Sequence, residues 1–419
     1  MNTNLSKSVQ YGFGLLSIAI ISRWTSGNAV FTAPEAFLRY GFIGTVSFSA
    51  AGAIAFLALI PIIARVRSAA ESSSFLGIMA SRLSEPALKW MKRGILLAIF
   101  FGMSVMGFAA GILVFPLGTP VPVGMSLFFL FGFLAAIFFR LKWFTRFSML
   151  KVGILFLIMI MILVHAYMLE GIEVVYDGIR LYHPYLLYVE WDMLPLLLTA
   201  FTIAMLGHLL LDLKMWNMLL KSKREKLRLG LSMTGLIWST IPFSFSMIAL
   251  SAIYKGGFQN FYSVFEKIFL RYDHFAITIL LIFILMVIFF ETFLSQIHSL
   301  YVLYDRNDLK LNKHMWGILI LFVAAIPFWA HLFSISLLDL FFISGVFFAA
   351  ALPVILQILW SRKEKGMLMP AAVLIGTLSG WTFLFFIEGP NSILIGFASS
   401  LIVLLIGWTA ERRSSTAVS

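Results

Sequence analysis

Cysteine is absent from the chain, which excludes disulfide frameworks and thiolate chemistry. Charge is scarce. Only 12% of the 419 residues are charged and 61% are hydrophobic, whereas a typical soluble domain is roughly 25% charged. A soluble protein of this make-up could not cover its surface with polar groups. The motifs of soluble catalysis are missing too. There is no Walker loop, no Gly-rich dinucleotide fingerprint and no His-Glu-x-x-His, and the seven histidines do not cluster at metal-ligand spacing. An enzyme and an ATP-driven pump are set aside on these grounds. No small-residue cleavage site follows the first apolar run, so it does not read as a cleavable signal peptide.

What the chain does have is apolar runs of ~20 residues, the length a helix needs to cross a hydrocarbon core of ~30 Å. Barrel strands need only ~10 alternating residues. The runs predict spans at 9–38, 44–65, 94–115, 122–140, 150–169, 193–213, 229–253, 275–303, 315–332, 336–360, 367–387 and 391–410. The first is too irregular for one straight helix and reads as two half-helices meeting near Trp24-Thr25-Ser26-Gly27-Asn28. With the N-terminus placed in the cytoplasm, 25 of the 31 Lys and Arg residues fall in cytoplasmic segments, 5 fall outside and Arg23 lies within a span. That loop-by-loop alternation is the positive-inside pattern, and it fixes both termini on the cytoplasmic side of a cytoplasmic membrane. It also accounts for the net charge of +12 without nucleic acid as a partner. Between spans, residues 254–274 carry Phe258, Phe261, Val264, Phe265 and Phe269 at helical spacing, which suggests an amphipathic helix along the interface.

Chemistry must then come from polar residues inside spans, which are costly in lipid and usually face a bundle interior. These are Arg23 and Glu35 around the first break, His208 and Asp212 in span 6, Glu291, Thr292, Ser295 and His298 in span 8, and Asp339 in span 10. Some have ordinary structural roles available. Asp212 can cap a helix or pair with Lys214, Asp339 can reach the outer interface, His298 can bond a neighbouring helix, and Glu35 can pair with Arg39 one turn on. Arg23 and Glu291 lie several residues from the nearest loop and are harder to explain so. The interruption at Ser26-Gly27-Asn28, followed by Pro34, matters as well. Broken helices at membrane depth are tolerated where the freed backbone is buried or lines a cavity, and in secondary transporters they bind substrate near the midplane. Spans 1 and 6 each begin a group of five, as two repeats of opposite topology would.

Three stretches carry a resemblance to the sodium:solute symporter family, whose core has the inverted-repeat fold of the bacterial leucine transporter. Ser26-Gly27-Asn28-Ala29-Val30-Phe31-Thr32 through Tyr40-Gly41 resembles the family's broken first core helix. Gly207 through Trp216, with Lys221-Ser222-Lys223-Arg224 and Pro242-Phe243, is similar to the sixth. Ala351-Leu352-Pro353-Val354 through Leu359-Trp360, then Lys363-Glu364-Lys365-Gly366, is similar to the tenth and its restart. The resemblance implies an all-α polytopic membrane protein of about twelve transmembrane helices. Its five-plus-five inverted-repeat core would occupy 1–360 (9–169 and 193–360), with two extra helices and a tail at 361–419. It implies alternating-access transport of a small organic solute in the lipid bilayer, with Ser26, Gly27, Asn28, Met103, Ser104, Gly207 and His208 lining the substrate site. The half-helix after Asn28 would favour an anionic group. It also implies a sodium site from carbonyls of Ser22, Thr25 and Ile288 and a hydroxyl pair on span 8. Thr292 and a later Ser295 match, but Glu291 replaces the first hydroxyl. Either that carboxylate still binds a sodium ion, or it pairs with Arg23 and the guanidinium takes the ion's place, leaving a proton-coupled or uncoupled carrier. A non-transporting receptor with this fold is the alternative. Gly376 and Gly380 form a small-residue face that could serve a homodimer.

Overall fold

The computed structural model describes residues 12–69, 74–138, 148–258, 261–271, 275–304, 317–318, 321–361, 364–387 and 389–416. They fold into α-helices throughout, with one isolated bridge between Leu83 and Lys365. The helices are α1 (Phe13–Trp24), α2 (Ala33–Tyr40), α3 (Phe42–Ala69), α4 (Phe75–Ala80), α5 (Glu85–Val114) and α6 (Val121–Phe138). They continue with α7 (Ser148–Glu170), α8 (Ile172–Tyr182), α9 (Met193–Leu211), α10 (Leu213–Lys221), α11 (Arg224–Ile253) and α12 (Phe261–Arg271). The last are α13 (Phe275–Leu303), α14 (Ile326–Leu332), α15 (Leu337–Trp360), α16 (Leu368–Phe386) and α17 (Asn391–Thr416). Among the described residues, nine helices are long and apolar enough to cross a membrane, namely α3, α5, α7, α9, α11, α13, α15, α16 and α17. The remaining expected spans are α1 with α2, α6, and Leu321–Leu332, all shorter or interrupted. The chain is an integral membrane protein. Its outward faces carry Leu157, Ile160 and Met161 on α7, and Leu401, Ile402, Leu405 and Ile406 on α17, the side chains that a lipid solvent requires. Among the basic loop residues, Lys7, Arg140, Lys142, Arg146, Arg306, Lys310, Lys313, Arg362 and Lys363 lie outside the described residues.

The first span breaks for reasons that are local. At the end of α1 the Thr25 amide and hydroxyl both bond the Ile21 carbonyl, at 2.8 and 2.7 Å. Gly27 then follows, and the chain re-enters as a widened π-turn at Asn28–Thr32, a geometry common at functional sites. Pro34 sits in the first turn of α2, directly after the widened turn. The second break falls at Asp212, whose backbone is extended between α9 and α10. Its carboxylate accepts from the amides of Lys214 and Met215 at 3.0 and 3.1 Å, so it starts α10 as an N-cap.

Around these breaks α3 packs on α9 and α11, α5 on α6 and α13, and α1 on α7 and α11. α15 packs on α9, and α16 and α17 pack on each other and on α15. Two short helices follow matching places, α4 after α3 and α12 after α11. The expected amphipathic helix is present as α12, and its apolar face turns onto the protein. α12 turns Val264, Phe265 and Ile268 inward, and the Phe265 ring meets Phe31 of the π-turn edge-on at 4.5 Å. The side chain of Phe269 is outside the described residues. The small-residue face of α16 is also filled from within. A Cβ on Gly376 would lie 2.6 Å from the Gly396 carbonyl, and one on Gly380 2.8 Å from that of Ser392. That face is therefore closed by α17 of the same chain.

Candidate functional site

The two breaks meet at a charge cluster. Arg23, in the last turn of α1, forks onto Asp212, with Nε to Oδ2 and Nη2 to Oδ1 both at 2.6 Å. Its remaining terminal nitrogen donates to Ser295 on α13. One turn earlier on α13, Glu291 pairs with Lys151 of α7 and accepts from the Ser22 hydroxyl at 3.3 Å. Arg23, Lys151, Asp212 and Glu291 are each 5–9% exposed. Burial of an uncompensated ion costs several kcal/mol, so a two-plus, two-minus cluster is the form that this depth allows.

This corrects the expected pairing of Arg23 with Glu291. Successive residues of a helix point about 100° apart at 3.6 residues per turn, so Ser22 faces Glu291 while Arg23 faces Asp212 and Ser295. Lys151 escapes sequence reading because it adjoins a basic loop and counts there as a cytoplasmic charge. The signal that points to it is Glu291 itself, a buried carboxylate that requires a cation. Asp212 does cap a helix, as expected, but its ionic partner is Arg23 rather than Lys214. Glu35 accepts from the Leu338 amide at 3.0 Å, and Arg39 pairs instead with Asp339, which also forms a capping box with Ser336. His298 is exposed and makes no hydrogen bond among the described residues.

Beside Arg23 and Asp212 lies a cavity of about 40 Å3, traced by the centre of a water-sized sphere. Of the residues expected at the solute site, Ser26, Asn28 and His208 line it, and so does Thr292, which was expected at the ion site. Gly27, Met103, Ser104 and Gly207 do not. Gly27 is pressed on α5, where a Cβ would lie 2.5 Å from that of Ala109, and Gly207 on α15, where it would lie 2.1 Å from the Phe348 carbonyl. Met103 is fully buried in packing and Ser104 bonds the Phe100 carbonyl within its own helix. The faces of α5 that reach the cavity belong to Phe101, Gly102, Val105 and Met106. Residues that the sequence did not single out complete the walls. Trp238 of α11 donates to the Trp24 carbonyl at 2.9 Å, which satisfies an acceptor at the first break. The His208 ring stacks on Phe348 at 4.4 Å and 3°. Gln296 is 8% exposed and makes no hydrogen bond among the described residues, yet it borders the cavity.

Two of the side chains expected around a sodium ion, Glu291 and Ser295, already hold a cation of the protein itself. Thr292 donates its hydroxyl to the Ile288 carbonyl at 3.1 Å, Glu291 holds Lys151, and Ser295 accepts from Arg23. Lys151 and Arg23 thus sit on the Glu291 carboxylate and the Ser295 hydroxyl, where an added ion would compete with them. Among the described residues no group of three or more His, Asp or Glu could hold a metal ion.

Neither a protein-family model nor a curated protein matches the chain. Solved structures do. A substrate-bound, outward-open Na+-coupled sialic acid symporter is similar with a TM-score of 0.67 at 12% identity, over 94% of this chain and 89% of that one. Mhp1, a nucleobase-cation-symport-1 family transporter, is similar in a closed state with bromovinylhydantoin bound, with a TM-score of 0.56 at 10% identity over 96% and 92%. Its inward-facing conformation also scores 0.56, at 13% identity over 96% and 91%. This chain has their polytopic fold.

Proposed function

We propose that this protein is a secondary transporter that moves a small organic solute by alternating access, with its own Lys151 and Arg23 in place of a coupling sodium ion. The observation that carries the reading is the ion pair across the two helix breaks, with a cavity directly beside it. Interrupted helices at mid-depth are how secondary transporters expose backbone and side-chain groups to a solute. The fold of the symporters described above supports the same reading.

Residues 9–169 and 193–360 read as two inverted copies. In support, α3 packs on its counterpart α11, α5 packs on its counterpart α13, and each copy begins with a broken span. The moving unit is the pair of broken spans, held together by Arg23 and Asp212. α5 and α13 are the scaffold, which Arg23 grips at Ser295. Residues 361–419 add two helices packed on α15. Both termini lie in the cytoplasm on the charge distribution. In proteoliposomes, solute uptake is expected to be unchanged when sodium is replaced by potassium, and Arg23→Ala is expected to abolish it. A steep sodium requirement that survives Arg23→Ala would overturn the reading. Specific binding without flux would favour a receptor instead.

A further inference from the structure

We infer that the cavity takes an uncharged, flat solute edged by an amide- or imide-type pair of donor and acceptor. The inference names the solute class of the transporter proposed above and rests on that reading only for passage across the membrane.

Charge is the first constraint. The ions beside the cavity are matched to each other, Arg23 to Asp212 through two hydrogen bonds. An anionic solute would have to take Arg23 from Asp212, and a cationic one would have to take Asp212 from Arg23. Either leaves a buried ion stripped, which is costly. At the half-helix after Asn28 the Ala29 and Val30 amides already bond the Ser26 carbonyl at 3.0 and 3.2 Å and are not open to an anion.

Shape is the second. The walls include the rings of Trp24, Phe48, Phe101, Trp238, Phe341 and Phe348. Aromatic faces favour a flat partner that can stack or meet them edge-on.

The third is the polar edge. Gln296 is buried with neither its carbonyl nor its amino group bonded among the described residues. A carboxamide offers a donor and an acceptor side by side, and its complement is another amide-type edge. Asn28 adds a donor, since its Oδ1 accepts from Thr32 at 3.1 Å while its amino group makes no hydrogen bond among the described residues. The Ser26 hydroxyl is likewise unbonded among the described residues and borders the same space. A polyhydroxylated sugar would need more polar partners than these, and a zwitterion would need two free charges.

The test is calorimetric titration of the full-length protein in detergent with two matched pairs, uracil against orotate and nicotinamide against nicotinate. The neutral member of at least one pair is expected to bind at least about tenfold more tightly than its carboxylated twin. Gln296→Leu is expected to weaken that binding on the order of a hundredfold, with melting used to confirm folding. The pair comparison on the unaltered protein stands whether or not the variant folds. Equal or tighter binding of the carboxylates overturns the inference. So does the absence of binding by both neutral rings at millimolar concentration, or an unchanged affinity in a folded Gln296→Leu protein. Binding of a neutral ring without flux in proteoliposomes would leave this inference standing and remove the transporter reading. Flux of carboxylated solutes alone would do the reverse.

Discussion

At the scale of single residues, the site depends on groups that would be intolerable alone. Arg23 and Asp212 are each 5% exposed at the side chain. Arg23→Ala strands a buried carboxylate and is expected to cost about 3–5 kcal/mol, read as a lowered melting temperature in detergent. Asp212→Asn in the same protein should restore part of that loss. Trp238 acts differently, by supplying one donor to the Trp24 carbonyl. Trp238→Phe keeps most of the ring packing and removes one of two donors to that carbonyl, the Ser26 amide at 3.0 Å being the other, so about 0.5–1.5 kcal/mol of destabilisation is expected. The charges were legible in the sequence because lipid makes them conspicuous: Arg23, Asp212 and Glu291 each stand in an apolar run. Their pairing was not, since it depends on which way α1 and α13 are rotated when they meet. Gln296 was not legible either, because a single neutral amide in a helix gives no pattern until its surroundings are known.

Among the helices, two joints of different character can be compared. Lys151–Glu291 ties α7 to α13 in the interior, with side chains 6% and 8% exposed. Lys255–Glu170 lies at the surface, with Lys255 65% exposed. Lys151→Met is expected to cost about 3 kcal/mol or more, and the double change with Glu291→Gln should recover most of it, since a buried pair is costly to break but replaceable. Lys255→Met should cost less than about 1 kcal/mol. Thermal melting of the four proteins decides this. The first break could be read from Ser26-Gly27-Asn28 and Pro34, residues that hold a helix poorly. The second could not be placed from Gly207, which lies inside α9 and serves close packing on Phe348. The chain actually breaks five residues later, where Asp212 trades helical backbone for a cap. Met103 and Ser104 missed the cavity because the face of α5 turned toward it depends on how that helix packs, not on its composition.

Over the whole molecule, hydropathy and the distribution of Lys and Arg carried the span positions, because a bilayer imposes length and a membrane imposes sidedness. Small-residue faces were less informative, since α16 spends Gly376 and Gly380 on α17. The absence of cysteine makes sidedness directly testable. Lys255→Cys should react with a membrane-impermeant maleimide in intact cells, and Glu364→Cys only after permeabilisation. The reverse pattern would invert the topology. The fork between Arg23 and Asp212 has a mechanical consequence. Two severed rods are spliced by one guanidinium, so in the proposed transport cycle they would swing as a single rocker. Any state that pulls them apart has to supply fresh counterions to both ends of the splice.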